Sequence, residues 1–223
     1  MSWAHQVAVS VHGFVLLGGW VVGCLLVLSV LAGAVILWKL WQLSALGLGQ
    51  SAGVRQALDQ WNGGQAQAAR LSAQASSSIL ARLALRAMAA DDRAALRDRL
   101  HAEAEAELAR AESGFRFLDA VAQVAPLMGL FGTVLGMIEA FQAMQGAGAS
   151  VDPSILAGGI WVALLTTAVG LAIAMPVSLI LTAFESRVAA TRTLAATLVE
   201  TLCGPALPQS GRPIPRMMGH DHA

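Results

Sequence analysis

The side chains best placed to do chemistry in this sequence lie inside its most apolar stretches. Thr133 falls in the run Val121 to Ile138, and Thr166 and Thr167 fall in the run Ile155 to Phe184; neither run carries a charge. Glu139 closes the first run and is the ionisable residue there that stands well away from a basic flank. Hydroxyls and a carboxylate in such surroundings can line a route for an ion or hold a proton, because a carboxylate at membrane depth is costly and usually faces a cavity or a partner. Plainer readings stand beside this one. A threonine hydroxyl can bond back to the carbonyl four residues earlier, and Glu139 is close enough to the end of its run for headgroups to solvate it. No nucleophile with a base, phosphate-cradling glycine loop or spaced His/Cys/Asp/Glu cluster accompanies these residues, so nothing points to an enzyme, a cofactor or a metal. His220 and His222 stand alone near the C-terminus and are too few to hold a metal firmly.

The elements that must position these groups are membrane helices. Hydrophobic residue types make up 56% of the 223 residues and charged types only 13%, against about 45–50% and about 25% in soluble domains. About 20 apolar residues cross a bilayer as a helix, whose backbone bonds are satisfied internally. Gly13 to Leu37 is a third uncharged run of sufficient length. It lacks the basic N-terminal region of a cleaved signal peptide and is too long for one, so it reads as a retained helix. Trp38 and Trp41 flank Lys39 at its end like an interfacial anchor.

Orientation follows from Lys and Arg, which concentrate on the cytoplasmic side. Ten of the fourteen lie from Lys39 to Arg116, and the rest are Arg187, Arg192, Arg212 and Arg216. Residues 1–12 and 145–154 have none. The predicted architecture is an all-α integral membrane protein of the inner membrane, with the N-terminus outside and the C-terminus inside. Its parts are an outer N-terminus (1–12), spans at 13–38, 119–144 and 155–184, a cytoplasmic helical region (39–118), an outer loop (145–154), a helical extension (185–204) and a disordered tail (205–223). Cys24 and Cys203 fall in bilayer and cytoplasm respectively, which makes a disulfide between them implausible. No nucleic-acid partner is expected; membrane lipid is.

Between the first two spans, Gly47 to Gly53 and Asn62-Gly63-Gly64 read as breaks. Ser76 to Glu112 is rich in helix formers, with apolar positions Ile79, Leu80, Leu83, Leu85 and Met88, then Leu96, Leu100 and Leu108. The switch from Arg93–Arg99 to Glu103, Glu105 and Glu107 reads as a solvated helical face, or as a contact between subunits. The helix is expected to enter the second span without a break at Phe115. The third span is expected to continue inward to about Leu202.

Within the spans, Gly132 and Gly136 share one helix face, as do Thr166, Gly170 and Ala174, and such spacing lets helices approach closely. Pro126 and Pro176 each free a backbone carbonyl and can kink their helices. At about 1.5 Å per residue, Thr133 lies about 20 Å and Thr167 about 24 Å from the inner ends of their spans. The two hydroxyls therefore lie at similar depth.

The run Ala125-Pro126-Leu127-Met128-Gly129-Leu130-Phe131-Gly132-Thr133-Val134-Leu135-Gly136-Met137 resembles the second-span signature of the ExbB/TolQ/MotA proton-channel family. Gly159 to Leu171, with Ala174-Met175-Pro176, resembles its third-span signature. Three spans fit ExbB and TolQ better than MotA. The resemblance implies a homo-oligomer, pentameric in the family, whose second and third helices surround a pore holding the helices of a single-pass ExbD- or TolR-like partner. An aspartate on that partner carries the proton, threonines matching Thr133 and Thr167 face it, and a TonB- or TolA-like protein delivers the work to the outer membrane. A proton moving down the membrane potential supplies about 2.3 kcal/mol per 100 mV.

One position departs from that pattern. Val162 stands where ExbB and TolQ usually carry a third-span glutamate, and it cannot titrate. Glu139, at similar depth, is a candidate replacement. Three readings follow: an ExbB-like subunit energising TonB-dependent outer-membrane transport, a TolQ-like subunit of a Tol-Pal envelope-integrity system, and a scaffold that conducts nothing.

Overall fold

The computed structural model describes residues 3–47, 52–146 and 153–204. Seven helices follow in order: α1 (Trp3–Ala45), α2 (Ala52–Asn62), α3 (Ala66–Gln74), α4 (Ile79–Ala89), α5 (Arg93–Glu112), α6 (Phe115–Gly146) and α7 (Pro153–Cys203). There is no strand among the described residues. The tail with its two histidines and most of the loop after α6 lie outside them.

Three helical stretches are long and apolar enough to cross a membrane, and they contain Gly19–Ala45, α6 and most of α7. α1 is broken at Gly19, whose φ of 64° and ψ of −165° belong to a region that only glycine occupies without strain. The expected start of the first span at residue 13 lies beyond that break. α7 runs through Arg187 to Cys203 without interruption, 51 residues in all, or about 77 Å at about 1.5 Å per residue.

The expectation of a continuous helix through Phe115 is corrected by the structure. α5 stops at Glu112, Ser113 and Gly114 form a turn, and α6 starts at Phe115. Gly114 takes a φ of +86°, the left-handed conformation that ends helices and that glycine adopts freely. The last carbonyls of α5 are satisfied locally: Ser113 Oγ donates to the Arg110 carbonyl at 2.7 Å, and Lys39 Nζ donates to that of Ala111 at 3.1 Å. The polar segment is likewise more divided than its composition suggests. Ser78 caps α4 by accepting from Ala81 N at 3.2 Å, and Asp92 caps α5 by accepting from Ala95 N at 3.0 Å.

Lys39 is fully buried rather than snorkelling. Its ammonium also donates to Gln42 Oε1 (2.6 Å) and Ser113 Oγ (3.1 Å) and lies over the Trp38 ring. A cation at the C-terminal end of α5 is favoured by the helix dipole. This bond set ties the inner end of α1 to the α5–α6 turn.

Two apolar cores result. In one, Leu58, Leu80, Leu83, Met88, Leu100, Leu198 and Val199 join α2–α5 to the end of α7. In the other, Val21, Leu25 and Ala32 of α1 pack with Leu118 and Val121 of α6 and with Ile173, Val177 and Leu181 of α7.

Candidate functional site between α6 and α7

α6 and α7 meet along a seam of small residues. A Cβ on Gly132 would lie 2.6 Å from Thr166 Oγ1, and one on Gly129 would lie 2.9 Å from the Thr166 carbonyl. Toward one end Gly136 faces Ala163 and Gly159 faces Ala140; toward the other Gly170 presses on the Ala125 carbonyl. Ala174 is buried one turn beyond Gly170. Gly129, Ala140, Gly159 and Ala163 were not read from sequence as packing positions, although they lie 4, 7 or 11 residues from Gly136 or Gly170 and so on the same helix faces. Both helices continue through their prolines, Pro126 and Pro176.

One hydroxyl bridges the seam. Thr166 Oγ1 shares its one proton between the Ala163 carbonyl of its own helix, at 2.7 Å, and the Gly129 carbonyl across the seam, at 3.0 Å. That engagement has a consequence for Thr167. The acceptor that Thr167 would reach four residues back is the same Ala163 carbonyl, now occupied. Thr167 Oγ1 is buried and has no hydrogen-bond partner among the described residues. Leaving such a group unpaired costs about 1–3 kcal/mol. Thr133 behaves differently, its hydroxyl donating to the Leu130 carbonyl at 2.6 Å.

The seam divides the helix pair into two flanks. Thr133 lies three residues before Gly136 and Glu139 three after it, so they stand about 60° to either side, about 120° apart. On Glu139's side lie Met128 and Leu135, which pack with Val169, Ile173 and Ile180 of α7 against α1. Thr167 is six residues from Ile173 and so points about 120° away from it. Because α7 is antiparallel, Thr167 falls on Thr133's flank, and the approach of Gly132 to Thr166 sets the two hydroxyls at similar depth. Val162 falls on the flank of Glu139. The two threonines thus share a groove that α1 leaves open, while Glu139, exposed, is not brought to them. There is no group of three or more potential metal ligands among the described residues.

The profile of the MotA/TolQ/ExbB proton channel family matches residues 72–197, a stretch that includes all of α6 and most of α7. The chain belongs to this family. It is a family of membrane proton channels and not of enzymes, and membership together with the three long apolar helices makes this a multi-pass inner-membrane protein. Over 64 residues the chain is 48% identical to the biopolymer transport protein exbB1 of Vibrio cholerae, covering 29% of this chain and 28% of that one. Over 70 residues it is 44% identical to the Tol-Pal system protein TolQ of Haemophilus influenzae, covering 31% and 30%. A longer match, 30% identical over 172 residues, covers 76% of this chain and 82% of the putative biopolymer transport protein ExbB-like 3 of Synechocystis. The matched stretch thus spans less than a third of the length of the Vibrio and Haemophilus relatives.

Proposed function

We propose that this protein is a proton-conducting stator subunit, with its N-terminus outside and its C-terminus in the cytoplasm, that energises outer-membrane transport in the manner of ExbB. Five copies surround a pore lined by α6 and α7. The pore holds the helix of an ExbD-like single-pass protein whose carboxylate exchanges a proton beside Thr133 and Thr167, and a TonB-like protein carries the resulting motion outward. The observation that carries this reading is Thr167 Oγ1, a buried hydroxyl without a partner in an apolar span. It lies on the flank and at the depth of Thr133, where α1 does not cover the pair. Rotation of the Thr167 side chain turns this hydroxyl into the groove, where a carboxylate from another chain supplies the acceptor that the Ala163 carbonyl does not. Glu139 shares the flank of Val162 and takes the charged role absent there; if Glu139→Gln leaves proton-driven activity unchanged, this part is removed.

The identity with a Tol-Pal system protein favours a second reading, in which the same machine works on a TolA-like protein for envelope integrity. One experiment addresses assembly and partner together. The complex is drawn from native membranes in mild detergent and weighed intact. Five copies of this chain with a smaller single-pass, aspartate-bearing chain are expected. A homo-oligomer with no second chain would contradict the proposal, and a co-purifying TonB-like or TolA-like protein distinguishes its two forms.

A further inference from the structure

The groove that holds Thr133 and Thr167 continues toward the cytoplasmic side as a polar stripe. On α7, Ser178 and Glu185 follow Thr167 by 11 and 18 residues, which returns each to within about 20° of it. On α6, Asp119 precedes Thr133 by 14 residues and lies within about 40° of it. All three side chains are exposed, and none makes a hydrogen bond or ion pair among the described residues. The outward faces of the same helices differ: Leu127, Phe131, Val134 and Ile138 on α6, and Trp161, Met175 and Leu179 on α7, are exposed and uniformly apolar. Unpaired polar groups on one stripe are expected to meet water or another chain, while the apolar faces suit lipid.

The stripe ends at a second, independent feature. A cavity of about 600 Å³ opens at the α5–α6 turn, lined by Glu112, Ser113, Arg116, Glu185 and Arg192. Arg192 is engaged there by Glu112 at 2.9 Å and by Glu105 at 3.2 Å. Arg116 and Glu185 have no partner of their own among the described residues. The space is large and polar enough to hold many waters.

We propose that Asp119 and Glu185 are the proton-release groups of this channel, handing protons to water at the cytoplasmic end of the stripe, which for Glu185 is that cavity. The proposal rests on the proton-channel reading above. Thr133 is about 21 Å from Asp119 along α6, and Thr167 about 27 Å from Glu185 along α7. A carboxylic acid beside the threonines cannot touch Asp119 or Glu185, so water in the groove bridges the interval. The O–H bond of a hydronium breaks as an O–H bond forms to a carboxylate oxygen of Asp119 or Glu185. The resulting acid returns that proton to water at that end and becomes a carboxylate again.

Two measurements test this on the full-length protein in its native complex. In inner-membrane vesicles, with Cys24 and Cys203 replaced by Ser, a Ser178→Cys variant is challenged with a charged, membrane-impermeant thiol reagent. Labelling at least tenfold faster than at Leu127→Cys and Leu179→Cys is expected. Equal labelling overturns the proposal whatever the protein conducts. Proton uptake is then compared in proteoliposomes. The paired Asp119→Asn and Glu185→Gln substitutions are expected to lower uptake about tenfold and to move its pH profile. If these leave uptake and profile unchanged while Thr167→Val abolishes uptake, the release groups are wrong and the channel stands. If neither change affects uptake, both readings fall.

Discussion

The membrane-spanning pair α6–α7 and the polar bundle of α2–α5 with the end of α7 are held together in opposite ways. The bundle closes on large side chains: Leu83, Leu100 and Leu198 are all but fully buried. Ion pairs stitch its outside, including Arg86 with Glu103 and Arg97 with Glu200. The spanning pair closes on missing side chains, and its seam holds a single bridging hydroxyl, that of Thr166. Burial from water drives the first kind of packing, whereas in lipid close approach and interhelical hydrogen bonds must serve instead. The lesson concerns Thr167. In a seam this tight, one threonine occupies the acceptor its neighbour would reach, and the neighbour's hydroxyl is left without a partner among the described residues.

Substitutions that damage one region and spare the other sharpen this contrast. The largest effect belongs to the bundle: Leu198→Ala empties a fully buried position and should cost about 2–5 kcal/mol. A lower melting temperature with the oligomer intact in detergent is the expected outcome, and no change in melting would break the comparison. Gly132→Ala does the reverse, placing a Cβ where Thr166 Oγ1 would lie 2.6 Å away. It should cost about 1–3 kcal/mol by overpacking and appear as loss of assembled complex on a sizing column. Thr166→Val removes the hydrogen bond that Thr166 sends across the seam to the Gly129 carbonyl, worth about 0.6–1.7 kcal/mol in membranes; a small drop in detergent resistance is expected.

The smallest effect is the pH response of the bundle's surface. Arg97 donates to Glu200 Oε1 at 2.6 Å, with His101 Nε2 3.3 Å from the same oxygen. The hydrogen bond from Arg97 holds the Glu200 carboxyl below its usual value. A carboxylate depressed in the folded state contributes stability above its unfolded pKa and loses it as pH falls through the folded one. Glu200→Gln should therefore flatten acid sensitivity only below the ordinary carboxylate range. Hydrogen exchange at the end of α7, measured against pH, reads this directly.

The three apolar stretches were legible because the bilayer demands uncharged runs of fixed length, and the family emerged from the glycine and threonine pattern of two of them. The break before Phe115 was not legible. Ala, Arg and Glu favour helix on both sides, and one glycine with a left-handed φ, aided by the distant Lys39, decides it. Asp92 as a helix cap could have been read from its place before Arg93-Ala94-Ala95, whereas the burial of Lys39 could not, since its partners Ala111 and Ser113 are more than seventy residues away. The depth of the two threonines could be counted along the helices. Which flank each polar group occupies required the register of α6 on α7, and that register is what separates Glu139 from Thr133.

The central claim is that the Thr167 hydroxyl serves a proton carried by another chain. Proton uptake by the reconstituted native complex, compared for Thr167→Val and Thr167→Ser, tests it most directly, because valine keeps the shape and serine keeps the hydroxyl. Loss of at least tenfold with valine and near-normal uptake with serine is the predicted result. Full uptake by the valine variant, correctly assembled, would contradict the account.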